Sequence, residues 1–204
     1  MKLYLKISIN KTAMKKIILV LALLFSLNAF SQDKEAFISL QFSDKSVSLY
    51  PFYKTFSVGL APAITIAIDR ELSYPLKSNL INSLELTWYN HKMIGAGLTF
   101  ISNIGYKYQL NNGLHIEPKI GAGYNVFYPA RELFVLNELG EYESKNILHF
   151  TFAGSVGLGI GYQVGRIAIY TQYSYMIERK YNGILPFLPT SLLGVGIKYQ
   201  ISSL

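Results

Sequence analysis

The sequence contains no cysteine and has few charged residues. Only 15% of its 204 residues are charged, although half are hydrophobic. The absence of cysteine excludes disulfides, thiolate metal sites, a cysteine nucleophile and a lipoprotein anchor. The shortage of charge, beside 16 tyrosines and 12 phenylalanines, is unusual for a soluble globular domain.

Basic charge is concentrated at the N-terminus. The net charge is +7, but five of the 19 Lys and Arg residues lie in the first 16 positions, and all 12 acids follow residue 32. From residue 32 onward, the remaining 14 basic residues face 12 acidic ones, a net of +2. A nucleic-acid partner is therefore not expected, because the excess charge belongs to the leader.

The leader has the pattern of a secretory signal peptide. The stretch "MKKIILVLALLFSLNAFSQ" begins at Met14 with two lysines, continues as an apolar run over 17–27, and closes with the small residues Ala29 and Ser31. The run is shorter than the roughly 20 residues that cross a bilayer. We therefore expect residues 1–31 to be an N-terminal extension and a cleaved signal peptide, with export from the cytoplasm. Translation could begin at Met1 or at Met14.

After residue 55 the sequence alternates with a period of two, which predicts β-strands. The tight turns "NNG" (111–113) and "QVGR" (163–166) contrast with the longer loops 129–146 and 179–189. Short turns alternating with long loops are typical of outer-membrane barrels. The pattern predicts an all-β fold, an eight-stranded antiparallel transmembrane β-barrel over 32–204. The predicted strands lie within 36–50 and over 55–69, 80–90, 94–110, 114–128, 149–163, 166–178 and 190–201.

The stretch "HFTFAGSVGLGIGYQ" (149–163) indicates which strand face is inside. Its even positions are almost all large and apolar, whereas its odd positions are small or polar and carry no acid, lysine or arginine. A soluble barrel would place charged residues on its outer face. The interior of an eight-stranded barrel is just wide enough for side chains to fill it. We therefore predict that the small face lines a narrow lumen and that the apolar face meets lipid.

Charged residues on the predicted inner face balance, with three glutamates against three lysines. Charges in a confined interior are costly unless they are paired, so this balance favours a plugged lumen over a channel. The outward tyrosines and phenylalanines fall near both predicted strand ends, as in aromatic girdles. The predicted lumen polar network comprises Glu85, Lys107, His115, Glu117, Lys119, His149, Glu178 and Lys198.

The segment "WYNHKMIGAGLTFISNIGYKYQLNNGLHIEPKIGAGYNVFY" (88–128) resembles small outer-membrane β-barrel proteins of the Bacteroidetes type. The leader ending "AFSQ" and the closing "LPTSLLGVGIKYQ" (188–200) are similar to theirs. The resemblance implies the barrel fold and an outer-membrane location, and its motifs are strand patterns without a catalytic signature.

The sequence offers only a weak set of candidate catalytic residues. His149 and Thr151 lie two residues apart on one face, and with Glu178 they could form a nucleophile, base and acid. This set would suit a lipid A-modifying enzyme, but its predicted position faces the lumen, away from lipid. A metal site of His115, Glu117 and His149 is not expected, because the two histidines should lie at opposite barrel ends. No cofactor is expected.

Three functions remain open from the sequence. The first is a non-enzymatic barrel with a structural, surface-interaction or accessory role, and the second is a lipid A-modifying enzyme. The third is a narrow, porin-like pore for small solutes. The expected partners are outer-membrane lipid and lipopolysaccharide, together with a surface or periplasmic protein that the acidic loop 129–146 could bind.

Overall fold

The computed structural model describes most of the chain after the leader. It covers residues 34–47, 61–73, 78–92, 95–129, 134–136, 142–144, 148–179 and 187–201. The predicted signal peptide and residues 55–60 lie outside these ranges. The described residues contain no helix that is long and apolar enough to cross a membrane.

Ten strands occur in the described residues, and eight of them close into a barrel in which every neighbouring pair is antiparallel. The predicted fold, a closed eight-stranded barrel, is confirmed. Two short strands, β6 (Phe134–Leu136) and β7 (Tyr142–Ser144), form a separate hairpin inside the predicted 129–146 loop. The barrel strands are β1 (Lys34–Val47), β2 (Pro62–Ser73), β3 (Ser78–His91), β4 (Gly95–Gln109), β5 (Leu114–Pro129), β8 (His149–Val164), β9 (Ile167–Arg179) and β10 (Phe187–Ile201).

The bounds of β2 differ from the predicted strand at 55–69. Residues 55–60 of that prediction lie outside the described residues, whereas the charged run 69–71, at whose start the predicted strand ended, lies within β2 (Pro62–Ser73). In the structure this run stays in the strand because Asp69 and Glu71 point into the barrel and are buried. The connection from β2 to β3 is consequently short, covering only 74–77.

The short connections 74–77, 110–113 and 165–166 lie at the same end of the barrel as Lys34 and Ile201, which we name the turn end, whereas the short connection 92–94 between β3 and β4 lies at the opposite end. The turn between β4 and β5 places Asn112 and Gly113 at φ 72° and 86°, and the turn between β8 and β9 places Gly165 at φ 59°. Glycine adopts this left-handed region without a steric penalty. The opposite end, with the long 130–148 connection, is the loop end.

Burial alternates residue by residue along the barrel strands, as β8 shows most regularly. The outward residues are mainly large and apolar, with exposed fractions of 36–67%, and aromatic rings occupy both ends of this outer surface. The turn-end band consists of Tyr106, Tyr108, Tyr162 and Tyr199. The loop-end band includes Trp88, Tyr124, Tyr128, Phe150 and Phe152.

Candidate functional site: the polar barrel interior

The small residues of β8 make room for long polar side chains from other strands. Gly159 faces Glu117, whose Cβ lies 3.5 Å from the position that a Cβ on Gly159 would take. Gly161 faces the His115 ring, where a Cβ would come within 2.7 Å of Cε1. The glycines on the inner face therefore serve packing, because the narrow interior is occupied by side chains from β5.

The largest ion-pair cluster lies in the turn-end half of the interior. Lys198 of β10 binds Glu117 of β5 at 2.6 Å and Asp69 of β2 at 2.9 Å. Lys119 approaches Glu85 at 3.5 Å, and both Asp69 and Glu117 at 3.8 Å. Apart from the contact of Lys119 with Glu117, which lies within β5, these contacts join strands that are not neighbours in the sheet. The cluster therefore ties opposite walls of the barrel together across its interior.

A second pair lies closer to the turn end. Lys107 donates to Glu71 at 2.7 Å and to the Gln163 side chain at 3.1 Å. The other oxygen of Glu71 accepts from Asn79 at 3.0 Å. The Lys107 ammonium also lies 5.0 Å from the centre of the Phe37 ring, within the range of a cation–π contact. This pair carries hydrogen bonds to β3 and β8 as well as its own ionic contact.

The loop-end half contains one fully buried ion pair. Lys45 binds Glu178 at 2.9 Å, and the second Glu178 oxygen accepts from Asn125 at 2.6 Å. Tyr89 exchanges hydrogen bonds with Asn125, and its ring lies 3.5 Å from the Lys45 ammonium. The carboxylate and the ammonium both have further partners, which buried charges require.

Apolar side chains fill the rest of the loop-end half. Between the two halves lies a void of about 20 Å³ bordered by Gln41, Thr65 and Glu85 among others, which is the size of about one water molecule. The polar and apolar inner-face side chains on both sides of this void are mostly buried. The buried apolar cluster consists of Ala63, Tyr89, Ile101, Phe127, Met176, Leu188 and Leu192.

Six of the eight residues predicted for the lumen network take part in these ionic contacts, and a seventh, His115, lies beside the cluster with its Nε2 3.4 Å from Glu117. The eighth, His149, stacks on Phe127 instead, with ring centres 5.3 Å apart. The predicted balance of three against three is wrong: among the described residues, five carboxylates form ion pairs with four interior lysines. Sequence reasoning missed Lys45, Asp69 and Glu71.

The signal that could have found these three residues is the same alternation. Asp69 and Glu71 have the parity of Ala63, Thr65 and Ala67, which line the interior, but they fell at or beyond the predicted end of that strand. Lys45 lies in the first strand, whose position the sequence left uncertain.

The three candidate catalytic residues do not form a triad. Thr151 donates to the backbone carbonyl of Asn125 at 3.4 Å, and the Glu178 carboxylate is bound by Lys45 and Asn125. The buried Nε2 of His149 has no hydrogen-bond partner. Within the described residues, no hydrogen bond joins His149, Thr151 and Glu178, so the hydroxyl is not directed at a base. No group of three or more potential metal ligands occurs there either.

Comparisons with known proteins agree on the fold. No family model matches the chain, and no curated protein matches its sequence. The crystal structure of Neisserial surface protein A (NspA) aligns with 82% of this chain and 97% of its own, at 11% identity and a TM-score of 0.52. The N-terminal β-barrel domain of Pseudomonas aeruginosa OprF aligns with 83% of this chain and 100% of its own, at 10% identity and a TM-score of 0.51. The chain has the eight-stranded fold of outer-membrane barrel structures.

Proposed function

We propose that this chain is an outer-membrane β-barrel protein with a closed interior and a structural, surface-interaction or accessory role. The observation that carries the proposal is the inverted distribution of its side chains. The outward faces are apolar with aromatic bands at both ends, whereas lysines and carboxylates are buried inside. This distribution suits a barrel surrounded by lipid, because hydrocarbon solvates the outer face and ion pairing satisfies the inner one.

The turn end faces the periplasm in this proposal. Short periplasmic turns and longer external loops are the rule for such barrels, and the signal-peptide pattern of the leader supports export to the envelope. The resemblance to Bacteroidetes-type barrels supports the same location. The hairpin of β6 and β7 would then belong to an external loop, where it could contact a surface partner.

The filled interior supports a plugged barrel over a narrow pore. The ion pairs of Lys198 and Lys107 occupy the turn-end half, and the pair of Lys45 with Glu178 closes the loop-end half together with apolar side chains. A pore would need a continuous water path past all three pairs. We therefore expect no steady conductance from the refolded protein.

The arrangement of His149 and Thr151 supports a non-enzymatic role. An acyl-transfer or deacylating enzyme needs a nucleophile within hydrogen-bond reach of its base, and the Thr151 hydroxyl instead donates to a backbone carbonyl. Lipid A mass spectra from cells with and without the gene test this part of the proposal, and they should be identical.

Electrophoresis and bilayer recordings test the whole proposal. The protein should fractionate with outer membranes and migrate faster in SDS when unboiled, because a closed barrel leaves no free strand edge. In planar bilayers, insertion should produce no resolvable single-channel steps. Identical migration of boiled and unboiled samples, or solubility without detergent, would count against a membrane barrel. A stable open-channel conductance would contradict the closed interior but not the membrane barrel.

A further inference from the structure

The outer surface of the barrel has a groove near the loop end. It is lined by Phe152 and Gly154 of β8, Ile177 and Arg179 of β9, and Phe187 of β10. The groove is open to the outside, has a volume of about 400 Å³, and is almost entirely apolar apart from Arg179.

The strand register explains why the groove forms. The pairing of β8 with β9 ends at Ala153 and Glu178, whereas β8 continues to His149 along its other neighbour, β5. Above Ala153, β8 therefore has no partner on the β9 side within the described residues. Among the described residues, this separation leaves a gap beside Phe152 at the end of β9.

Gly154 provides the floor of the groove. It faces outward between the exposed rings and branches of Phe152 and Val156, and a Cβ built on it would have nothing within 4 Å. The gap is thus open and apolar, which suits a hydrocarbon chain that lies against the barrel.

Arg179 supplies the polar end of the groove. It is exposed on the outward face, because strand alternation directs its neighbour Glu178 into the interior. Arg179 pairs in register with Phe187, and no acidic side chain in the described residues forms an ion pair with it. A guanidinium at the edge of an apolar groove is complementary to a phosphate attached to an acyl chain, since arginine binds phosphate through paired hydrogen bonds.

We propose that this groove binds a phosphorylated lipid of the outer leaflet, with its acyl chain over Gly154 and its phosphate on Arg179. The lipid class that fits is a phosphorylated lipid A. The inference rests on the proposed function, because only that orientation places the loop end at the outer leaflet, where such lipids reside. The lipid would be a bound partner, and no reaction on it is implied.

Native mass spectrometry of the refolded protein in detergent tests the site. Diphosphoryl lipid A and a dephosphorylated lipid A are titrated separately against the wild type and the variants. Arg179→Gln should weaken binding of the diphosphoryl form about tenfold, the loss expected for a charge-assisted hydrogen bond, and should leave the dephosphorylated form unaffected. Gly154→Leu should weaken both forms, because it fills the acyl groove.

Two matched controls separate the groove from general effects of charge and size. Arg70→Gln removes an outward-facing arginine of β2 near the turn end, and Ala96→Leu enlarges an exposed outward residue of β4, which is separated from β8 by β5. Both should bind the two lipids within about twofold of the wild type. Gly154→Leu, whose added side chain enters open space, also serves if Arg179→Gln fails to fold.

The outcomes distinguish this inference from the proposed function. A wild type that does not refold into detergent or membranes contradicts the proposed function. If the wild type refolds but binds neither lipid, the proposed lipid site is wrong and the proposed function still stands. The same holds if the wild type and Arg179→Gln bind diphosphoryl lipid A equally tightly. Dimers that Gly154→Leu abolishes without any lipid dependence would assign the groove to a second copy of the chain and overturn the inference.

Discussion

The two faces of the barrel strands differ in what they accept. The outward face carries large apolar side chains with open space around them, and a Cβ added at Gly154 meets nothing. The inward face carries paired charges in a filled interior, and a Cβ added at Gly161 meets the His115 ring. The outer face should therefore accept larger side chains but not added charges. The inner face should accept paired charges but not larger side chains.

Removal of one buried charge on the inner face should have the largest effect. Lys198→Met leaves Asp69 and Glu117 without their nearest cation, and breaking a buried ion pair costs about 3–5 kcal/mol. The free energy of unfolding in lipid vesicles, measured by urea titration, should fall by that amount. The double variant Lys198→Met/Glu117→Gln should recover part of the loss. A loss below about 1 kcal/mol would indicate an interior open to water, where exposed ion pairs contribute little.

Addition of one charge on the outer face should come next. Leu158→Arg places a cation on a lipid-facing position near the middle of β8, at a cost of about 2–4 kcal/mol. Gly157→Ser is the adjacent control on the inner face, where the new side chain would lie near the Ser174 hydroxyl, and its loss should be smaller. A larger loss for Gly157→Ser in the same unfolding titration would reverse the assignment of the two faces.

Addition of one methyl group should destabilise the barrel on the inner face but not on the outer face. The effect should be smaller than that of an added charge. Gly161→Ala must displace His115, and overpacking of this kind costs about 1–3 kcal/mol. Gly154→Ala enters open space on the outer face and should be neutral or stabilising by up to about 1 kcal/mol, since glycine weakens a strand. Thermal unfolding of the two variants side by side checks the difference. Equal losses would mean that the interior does not fill the space beside Gly161.

Substitution of the candidate catalytic residues should have the smallest effect. His149→Gln loses the stacking on Phe127 but breaks no hydrogen bond of Nε2, so the loss of stability should stay below about 1.5 kcal/mol. Lipid A should remain unchanged in both His149→Gln and Thr151→Ala cells, as lipid A mass spectra can show. A lipid A modification that requires both residues in a normally folded barrel would instead identify an enzyme.

The fold could be predicted from sequence because the alternation of inward and outward residues is a local pattern. The alternation in 149–163 alone separates a small face from a large one, and tight turns such as "NNG" fix where the strands reverse. The partners of each charge could not be predicted, because Lys198 meets Glu117 and Asp69 across the interior. Such contacts depend on barrel closure and stagger, which no local pattern contains. Lys45 was missed for a simpler reason, since the bounds of its strand were uncertain.

The most direct test of the lipid-facing apolar surface is to measure which β8 side chains face the lipid in a bilayer. Because the chain has no cysteine, single cysteines can be placed at 155–160 in turn and spin-labelled, and their exposure to oxygen dissolved in the lipid can be measured. Successive strand residues point to opposite faces. Oxygen exposure should therefore be high at Val156, Leu158 and Ile160 and low at Ser155, Gly157 and Gly159. High exposure at the odd positions, or no period of two, would contradict a lipid-facing apolar surface around a closed polar interior.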